Sequence, residues 1–151
     1  MGLMAGLFCT FSYAVMTGLG RTDDRTFVGS MQSINVAIVN GWFLISFLGA
    51  LGFTALAALF HLPSGARAAL PWILVGLVLY VIVLGITGGI SIPLNNQLVD
   101  AGPVDKIADL AAVREKFEGV WIRWNIVRAV LCTSAFGSLA WALVQHGRAG
   151  R

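Results

Sequence analysis

Four long apolar stretches constrain this chain more than any other feature of its sequence. They cover residues 1–19, 36–62, 70–94 and 126–144, and none contains Asp, Glu or Lys. About 20 apolar residues in a helix cross the roughly 30 Å hydrocarbon core of a bilayer. A composition of 58% hydrophobic and 11% charged residues is also too apolar for an ordinary soluble domain. The sequence therefore predicts four transmembrane helices.

Four crossings leave no room for a separate soluble domain, so we interpret residues 1–151 as one integral membrane domain. The predicted fold class is all-α, an up-down four-helix bundle. The first stretch is read as a membrane helix rather than a signal peptide, because no Lys or Arg precedes it and no small-x-small cleavage site follows. The sequence leaves homo-oligomerisation open.

Small residues recur at every fourth position of the first stretch, namely Gly2, Gly6, Thr10, Ala14 and Gly18. Such a ridge lets another helix approach closely, so we expect it to serve packing. Gly85 and Gly89 offer a second spot of the same kind. Chance spacing in Gly-rich apolar segments is the alternative.

Two of the three connections are predicted to be helical themselves. In the first, Thr22 or Asp23 can cap a helical extension into the second span, with an apolar face of Phe27, Met31, Ile34 and Ile38. In the third, apolar and charged residues alternate after Pro103 with helical spacing. We predict an amphipathic helix there, lying near the membrane surface between spans three and four.

All acidic residues fall in the first and third connections, at positions 23, 24, 100, 105, 109, 115 and 118. An even-numbered bundle places these connections on one side of the membrane, here called the acidic-loop face. Most Lys and Arg residues share this face, which favours a cytoplasmic location for it in a bacterial-type plasma membrane. The net charge of +3 does not indicate nucleic-acid binding, because the basic residues are dispersed among acids.

Cys and His give no pattern typical of a metal or cofactor site. Cys9 and Cys132 lie in different spans outside any CxxC motif, so they are interpreted as small buried hydrophobic residues. His61 and His146 each end a helix on the sparsely charged side. Two ligands alone are weak support for a haem or metal, so we predict no cofactor and no metal.

Polar and aromatic side chains cluster where the last stretch begins. Trp121, Trp124, Asn125 and Arg128 follow the i, i+3, i+4, i+7 spacing of one helix face. A guanidinium near hydrocarbon needs a partner, water or a route to the interface. Each residue has a plain structural explanation, since Trp is common in the interfacial belt and Arg extends to headgroups.

Other segments bring amides to the same end of the bundle. Asn35, Asn40 and Trp42 precede or begin the second span, and Asn95 and Asn96 follow the third. Helix capping explains any one of these Asn residues equally well. For the set, we favour a pocket in which a few hydrogen bonds hold a polar ligand and apolar walls enclose its rings.

The order and spacing of these motifs resemble the small four-helix membrane proteins of the DUF1772 or anthrone oxygenase family. The resemblance spans most of the chain and rests on residues 21–27 (RTDDRTF), 31–35 (MQSIN), 40–43 (NGWF), 91–96 (SIPLNN) and 121–128 (WIRWNIVR). The family pattern often has Asn at the position of Ser91 and Pro at that of Gly41. A shorter side chain at Ser91 argues against an identical substrate.

The resemblance implies an oxygenase that converts an anthrone-type aromatic substrate with O2, without a metal or flavin. In that scheme Arg128 stabilises an oxyanion, Asn125, Asn35 and Asn95 orient substrate oxygens, and Trp121 or Trp124 stacks on the rings. Asp24 is the nearest candidate for a general base, although helix capping or pairing with Arg21 or Arg25 explains it about as well.

Two other classes of function stay open at this stage. One is a noncatalytic membrane module that binds lipid, quinone or a partner helix, with the polar cluster fixing helix register. The other is a transporter, which has less support because the spans carry no chain of carboxylates for a relay.

Overall fold

The computed structural model describes residues 1–62 and 67–149, and long helices follow the four apolar stretches. The helices are α1 (Gly2–Leu19), α2 (Asp24–Ala37), α3 (Gly41–His61), α4 (Arg67–Asp100) and α5 (Leu110–Ala149). All but α2 are long and apolar enough to cross a membrane. The all-α four-helix prediction is confirmed, and the chain is a multi-pass membrane protein. Residues 63–66 of the predicted second connection lie outside the described residues.

Two of the spanning helices contain a π-helical turn. In α1 the turn covers Phe11–Val15, and in α4 it covers Thr87–Ser91. A π-turn adds one residue to a helix, changes the direction of the side chains on either side of it, and is frequent at functional sites. Both turns lie toward the acidic-loop face, which is the end of the bundle where the polar cluster was predicted.

Helix α5 forms the centre of the bundle, because both α1 and α4 pack along it while α3 packs mainly on α4. Met4, Phe8, Phe47, Tyr80 and Cys132 belong to one buried apolar cluster between these helices. The Tyr80 hydroxyl donates to the carbonyl oxygen of Phe47 at 2.8 Å, which satisfies the polar tip of a fully buried ring.

Helices α4 and α5 approach each other closely at Gly76. A Cβ atom added at Gly76 would lie 3.1 Å from the Leu139 side chain and 3.3 Å from the carbonyl oxygen of Ala135. One turn earlier, the Ser138 hydroxyl donates to the carbonyl oxygen of Trp72 at 2.8 Å. A small residue at position 76 is therefore what lets the two longest helices touch.

The small-residue ridge predicted on α1 does not pack within this chain. Gly6, Thr10, Ala14 and Gly18 are exposed, and a Cβ atom at Gly6 or Gly18 would meet no neighbouring atom. Only Gly2 lies close to another helix, 3.2 Å from the ring of Phe136. Gly85 and Gly89 are open in the same way, so the packing prediction is wrong at these positions within the bundle.

Helix α2 is separate from α3 rather than an extension into it. Helix α2 ends at Ala37. The Oδ1 of Asn40 caps α3 by accepting a hydrogen bond from the backbone N–H of Phe43 at 3.0 Å. The predicted cap of α2 is Asp23, whose carboxylate accepts from the backbone N–H and the hydroxyl of Thr26, both at 2.9 Å. These two bonds lower the pKa of Asp23.

The buried face of α2 consists of Phe27, Val28 and Met31, which pack against Leu98, Phe117 and Trp121. Arg114 of α5 ties this layer to the bundle. Its guanidinium pairs with Asp24 at 3.0 Å and Glu118 at 2.7 Å, and lies 4.5 Å above the ring of Phe27. It also donates to the carbonyl oxygens of Thr22 and Gly20.

The amphipathic segment of the third connection is helical but is not a separate helix. After a turn at Gly102, whose φ of +87° suits glycine, a short 3-10 turn covers Val104–Lys106. From Leu110 the chain then forms one 40-residue helix through the fourth span. The amphipathic part of α5 thus leads directly into the membrane-spanning part, and this continuity fixes where Trp121 and Asn125 point.

Candidate ligand cavity

A cavity of about 510 Å³ lies at the acidic-loop end of the bundle. Its walls come from α1, the corner between α2 and α3, the last part of α4, and α5. The volume falls in the range of pockets that hold small organic ligands. Of the predicted site residues, the structure brings these together in its lining: Asn35, Asn95, Trp121, Asn125 and Arg128.

Arg128 is the dominant charge of the cavity and is only 5% exposed. One terminal nitrogen donates to Asn125 Oδ1 at 3.1 Å, and the other makes a long contact of 3.5 Å with Thr87 Oγ1. Its guanidinium lies 4.5 Å above the ring of Phe8. Its Nε is buried without a hydrogen-bond partner.

No ion pair joins Arg128 to a carboxylate anywhere in the described ranges 1–62 and 67–149. Burying a cation without a counter-charge costs free energy. Truncating or neutralising a side chain next to such a cation therefore changes the electrostatic potential of the site strongly. Together with the unpaired Nε, this makes the cavity suited to an anionic or strongly electron-rich oxygen of a ligand.

Asn125 is completely buried and holds Arg128 in place. Its Nδ2 donates to the carbonyl oxygen of Phe8 at 2.9 Å and to Ser12 Oγ at 2.8 Å, which turns Oδ1 toward the guanidinium. Both amide hydrogens are used within the protein. The geometry thus makes Asn125 a positioning residue, whereas the sequence had led us to expect it to orient substrate oxygens directly.

Trp121 forms an aromatic wall of the cavity. Its indole N–H donates to Asn95 Oδ1 at 2.9 Å, and its ring lies 5.8 Å from that of Phe11 and 6.0 Å from that of Phe117 between centroids. These contacts fix the indole plane before any ligand binds. Asn35 also lines the cavity and differs from Asn95, because its Nδ2 is buried without a hydrogen-bond partner.

Two predicted residues lie outside the cavity lining. Trp124 is half-buried on the same helix but is not among the lining residues. Asp24 is paired with Arg114 in the contact between α2 and α5. Asp24, the residue proposed as general base, thus forms an ion pair with Arg114 and is not among the residues that line the cavity.

Several neighbouring polar residues match their simpler explanations. Trp42 is 84% exposed, as expected of the interfacial belt, and Asn40 is a helix cap. Asn96 lines the cavity at its exposed edge. In the sequence, Trp42, Asn40 and Asn96 accompany the predicted site residues. Their position in the fold distinguishes them from those residues.

Sequence reasoning missed the roles of Ser12 and Thr87. Both are hydroxyl residues within apolar stretches, and each belongs to one of the two π-turns. Thr87 donates to the carbonyl oxygen of Val83 at 2.8 Å, so its oxygen is left to accept from Arg128. A hydroxyl in a stretch otherwise suited to lipid was the available signal.

The opposite end of the bundle holds the two histidines. His61 Nε2 lies 3.2 Å from His146 Nδ1, and His61 Nδ1 lies 2.8 Å from the carbonyl oxygen of Ala57. Within the described part of the chain there is no group of three or more His, Cys, Asp or Glu side chains that could hold a metal ion. The histidine pair therefore links α3 to α5 far from the cavity.

The fold and the cavity define a multi-pass membrane protein with a cavity among its spans. The sequence model of the anthrone oxygenase family matches residues 40–138, about two-thirds of the chain, and the chain belongs to that family. The match covers α3, α4 and most of α5, including Asn95, Trp121, Asn125 and Arg128. Neither a curated protein nor a solved structure matches the chain.

Proposed function

We propose that this protein oxidises an anthrone-type or other electron-rich polycyclic aromatic substrate with O2 inside its membrane cavity. The proposal is supported by family membership and by one observation above all, the buried guanidinium of Arg128, which lines a cavity with aromatic walls and has no carboxylate partner in residues 1–62 and 67–149. A planar aromatic skeleton complements Trp121 and Phe11, and a ring oxygen complements the guanidinium.

The reaction needs little from the protein because the substrate supplies its own electrons. Loss of a proton from the methylene carbon of an anthrone gives an enolate, which reduces O2 and forms a carbon–oxygen bond. The resulting hydroperoxide loses the second methylene proton as its O–O bond breaks, which leaves a carbonyl group and releases one water. No metal or flavin is required by this balance.

In this scheme Arg128 stabilises the enolate oxygen, and Asn125 with Thr87 holds the guanidinium in position. Asn35 donates to a second substrate oxygen, and Trp121, oriented by Asn95, stacks on the rings. Because Asp24 pairs with Arg114, we assign proton acceptance to water at the exposed polar edge of the cavity beside Asn96, with Arg128 lowering the basicity that is needed.

The test is O2 uptake by purified protein supplied with anthrone. Arg128→Gln is expected to lower kcat/KM by about 100- to 1,000-fold, as removal of an oxyanion donor does elsewhere. Arg123→Gln is the matched control, since Arg123 is exposed on the same helix outside the cavity. An equal effect of the two variants, or uptake that is unaffected by either, contradicts the proposal.

A noncatalytic module that binds quinone or lipid is the second candidate. The internal bonds of Asn125 to Phe8 and Ser12 favour it, because they are what a cluster that fixes helix register requires. Tight binding of an anthraquinone without O2 uptake from any tested anthrone would support this candidate over the oxygenase.

We further propose a bacterial-type plasma membrane as the location, with the acidic-loop face in the cytoplasm and homo-oligomers permitted. The support is the distribution of Lys and Arg between the connections. Side-specific labelling of a cysteine introduced at exposed Lys116 tests the orientation. Labelling from outside intact cells contradicts it.

A further inference from the structure

The cavity combines a buried polar floor with an apolar mouth. Arg128 and Asn125, which form the floor, are 5% and 0% exposed. Seven of the described lining residues are exposed; Asn96 is one, and the other six are aliphatic: Val36, Val39, Leu44, Leu48, Ile92 and Val99. A site that receives its ligand from water has the opposite arrangement, with polar groups at its rim.

The mouth lies between the α2–α3 corner on one side and the last part of α4 on the other. Val39 directly precedes Asn40, the cap of the spanning helix α3, so this edge is at the membrane interface. Leu48 lies seven residues beyond Gly41, the first residue of α3, which is about 10 Å along the helix axis at 1.5 Å per residue. The opening thus extends from the headgroup boundary into the hydrocarbon layer.

The packing of the helices leaves this side open. Helix α3 packs on α4 through the residues around Phe47 and Tyr80, while the later part of α4, which carries Ile92 and Val99, packs on α2 and α5. Side chains at the mouth are therefore aliphatic and exposed on both edges, and in a membrane they contact lipid.

We propose that the ligand reaches the cavity sideways from the bilayer, through the gap bounded by Val39 and Ile92. The ligand class is a membrane-soluble aromatic that carries at least one acidic hydroxyl or enol, because apolar residues form its route and the buried guanidinium of Arg128 lines the cavity at its end. This inference rests on the proposed function in one respect only, that the cavity is the ligand site.

The experiment measures binding rates of 1,8-dihydroxyanthraquinone, which is not a substrate, to the full chain in lipid nanodiscs. Ile92→Phe and the double variant Val39→Phe/Ile92→Phe are expected to lower the association and dissociation rates together by about tenfold, the effect of a small added barrier. Because the floor is untouched, Kd is expected to stay within about twofold. Ile92→Ala is expected to raise both rates.

Ile82→Phe is the matched control, since Ile82 is on the same helix and similarly exposed, at 45% against 49% for Ile92, but lies outside the cavity. Its rates are expected to equal those of the wild type. Asn96→Phe tests access from water, because Asn96 is the exposed polar residue of the lining. Slower binding in Asn96→Phe with unchanged rates in Ile92→Phe would overturn the proposal.

The outcomes separate the lateral route from the oxygenase proposal. Unchanged rates in the mouth variants of a protein that still consumes O2 overturn the lateral route alone. Slowed rates without any O2 uptake overturn the oxygenase proposal alone.

Discussion

At the residue scale, the site depends on how Asn125 is used. Both of its amide hydrogens are bonded to α1, and its oxygen accepts from Arg128. One side chain thus connects the backbone of the first helix to the only charged group of the cavity lining. Losing it leaves polar groups without partners in an environment where water does not replace them.

We expect Asn125→Ala to lower the free energy of unfolding by about 2–4 kcal/mol, because several buried hydrogen bonds are lost together. The measurement is denaturant unfolding in detergent micelles. Asn96→Ala is the control, since Asn96 is exposed and its truncation should change stability by less than about 0.5 kcal/mol. Equal losses in the two variants would contradict the assignment of Asn125 as a positioning residue.

A pH effect is expected at Asp23, whose pKa is lowered by the two bonds from Thr26. A carboxyl group with a lowered folded-state pKa stabilises the fold above its unfolded value of 3.8 and loses that contribution as pH falls through the folded-state value. Protection of the Thr26 and Phe27 amides, measured as the intrinsic exchange rate at each pH divided by the observed rate, should therefore fall below pH 3.8. In Asp23→Asn, which keeps an acceptor but does not titrate, this fall should be absent.

At the element scale, the helices show which sequence patterns identify a partner and which do not. The i, i+4 ridge of α1 identified a face of small residues, but the face is exposed. The spacing of residues in the sequence defines which side chains share a helix face. It does not show which neighbouring helix, if any, packs against that face. Gly76 forms the close contact instead, because its position on α4 coincides with Leu139 and Ala135 of α5.

Gly76→Ala should therefore destabilise the bundle, whereas Gly85→Ala on the same helix should not. At Gly76 the new methyl group forces Leu139 or the backbone of α5 to move, which costs about 1–3 kcal/mol. At Gly85 it meets nothing within 4 Å, and the better helix propensity of Ala makes it neutral or stabilising. Unfolding of both variants in the same micelles, with equal stability for the two, would contradict the close approach.

The boundaries of α2 and α5 were harder to predict than their existence. Asp23, Phe27 and Met31 were identified as cap and buried face, and the structure confirms them. The break before Asn40 was not foreseen, because Asn40 sits inside a run of apolar residues that suits a continuous helix. The join between the amphipathic segment and the fourth span was missed as well, because Gly119 between them does not interrupt α5.

At the scale of the whole molecule, two layers are joined. The bundle of spanning helices follows from the absence of charge in four stretches, which is why the sequence predicted it. The interfacial layer of α2 is attached by Arg114, which reaches two acidic side chains and two carbonyl oxygens. Glu118 is four residues from Arg114 in sequence, but Asp24 and the carbonyl oxygens of Thr22 and Gly20 are 90 to 94 residues away. No local pattern indicates these distant partners.

Arg114→Gln is expected to lower the free energy of unfolding by about 3–5 kcal/mol, because Asp24 and Glu118 lose a largely buried partner. The Arg25–Asp105 pair provides the control: its side chains are 61% and 74% exposed, so Arg25→Gln should cost less than about 1 kcal/mol. Thermal unfolding with amide exchange of α2 distinguishes the two. Similar losses would mean that α2 is held by its apolar face alone.

The same comparison applies to the candidate site. Asn35, Asn95, Trp121, Asn125 and Arg128 were selected from sequence, and the cavity contains all of them. The hydrogen-bond partners of Asn125 and Arg128 could not be predicted from the sequence. They depend on where the Phe8 carbonyl oxygen and the Thr87 hydroxyl lie in the bundle. The sequence also could not show that Asp24 lies outside the cavity, because its ion-pair partner Arg114 belongs to another helix.

The turns at Phe11–Val15 and Thr87–Ser91 have a consequence for how such proteins diverge. A π-turn accommodates one extra residue, so losing one residue there gives a regular α-helical turn and the side chains beyond it keep their faces. A single-codon deletion at Ser12 or Thr87 would thus remove the hydroxyl that contacts Asn125 or Arg128 without rotating the rest of the helix. The lining of the cavity can therefore change by length as well as by substitution.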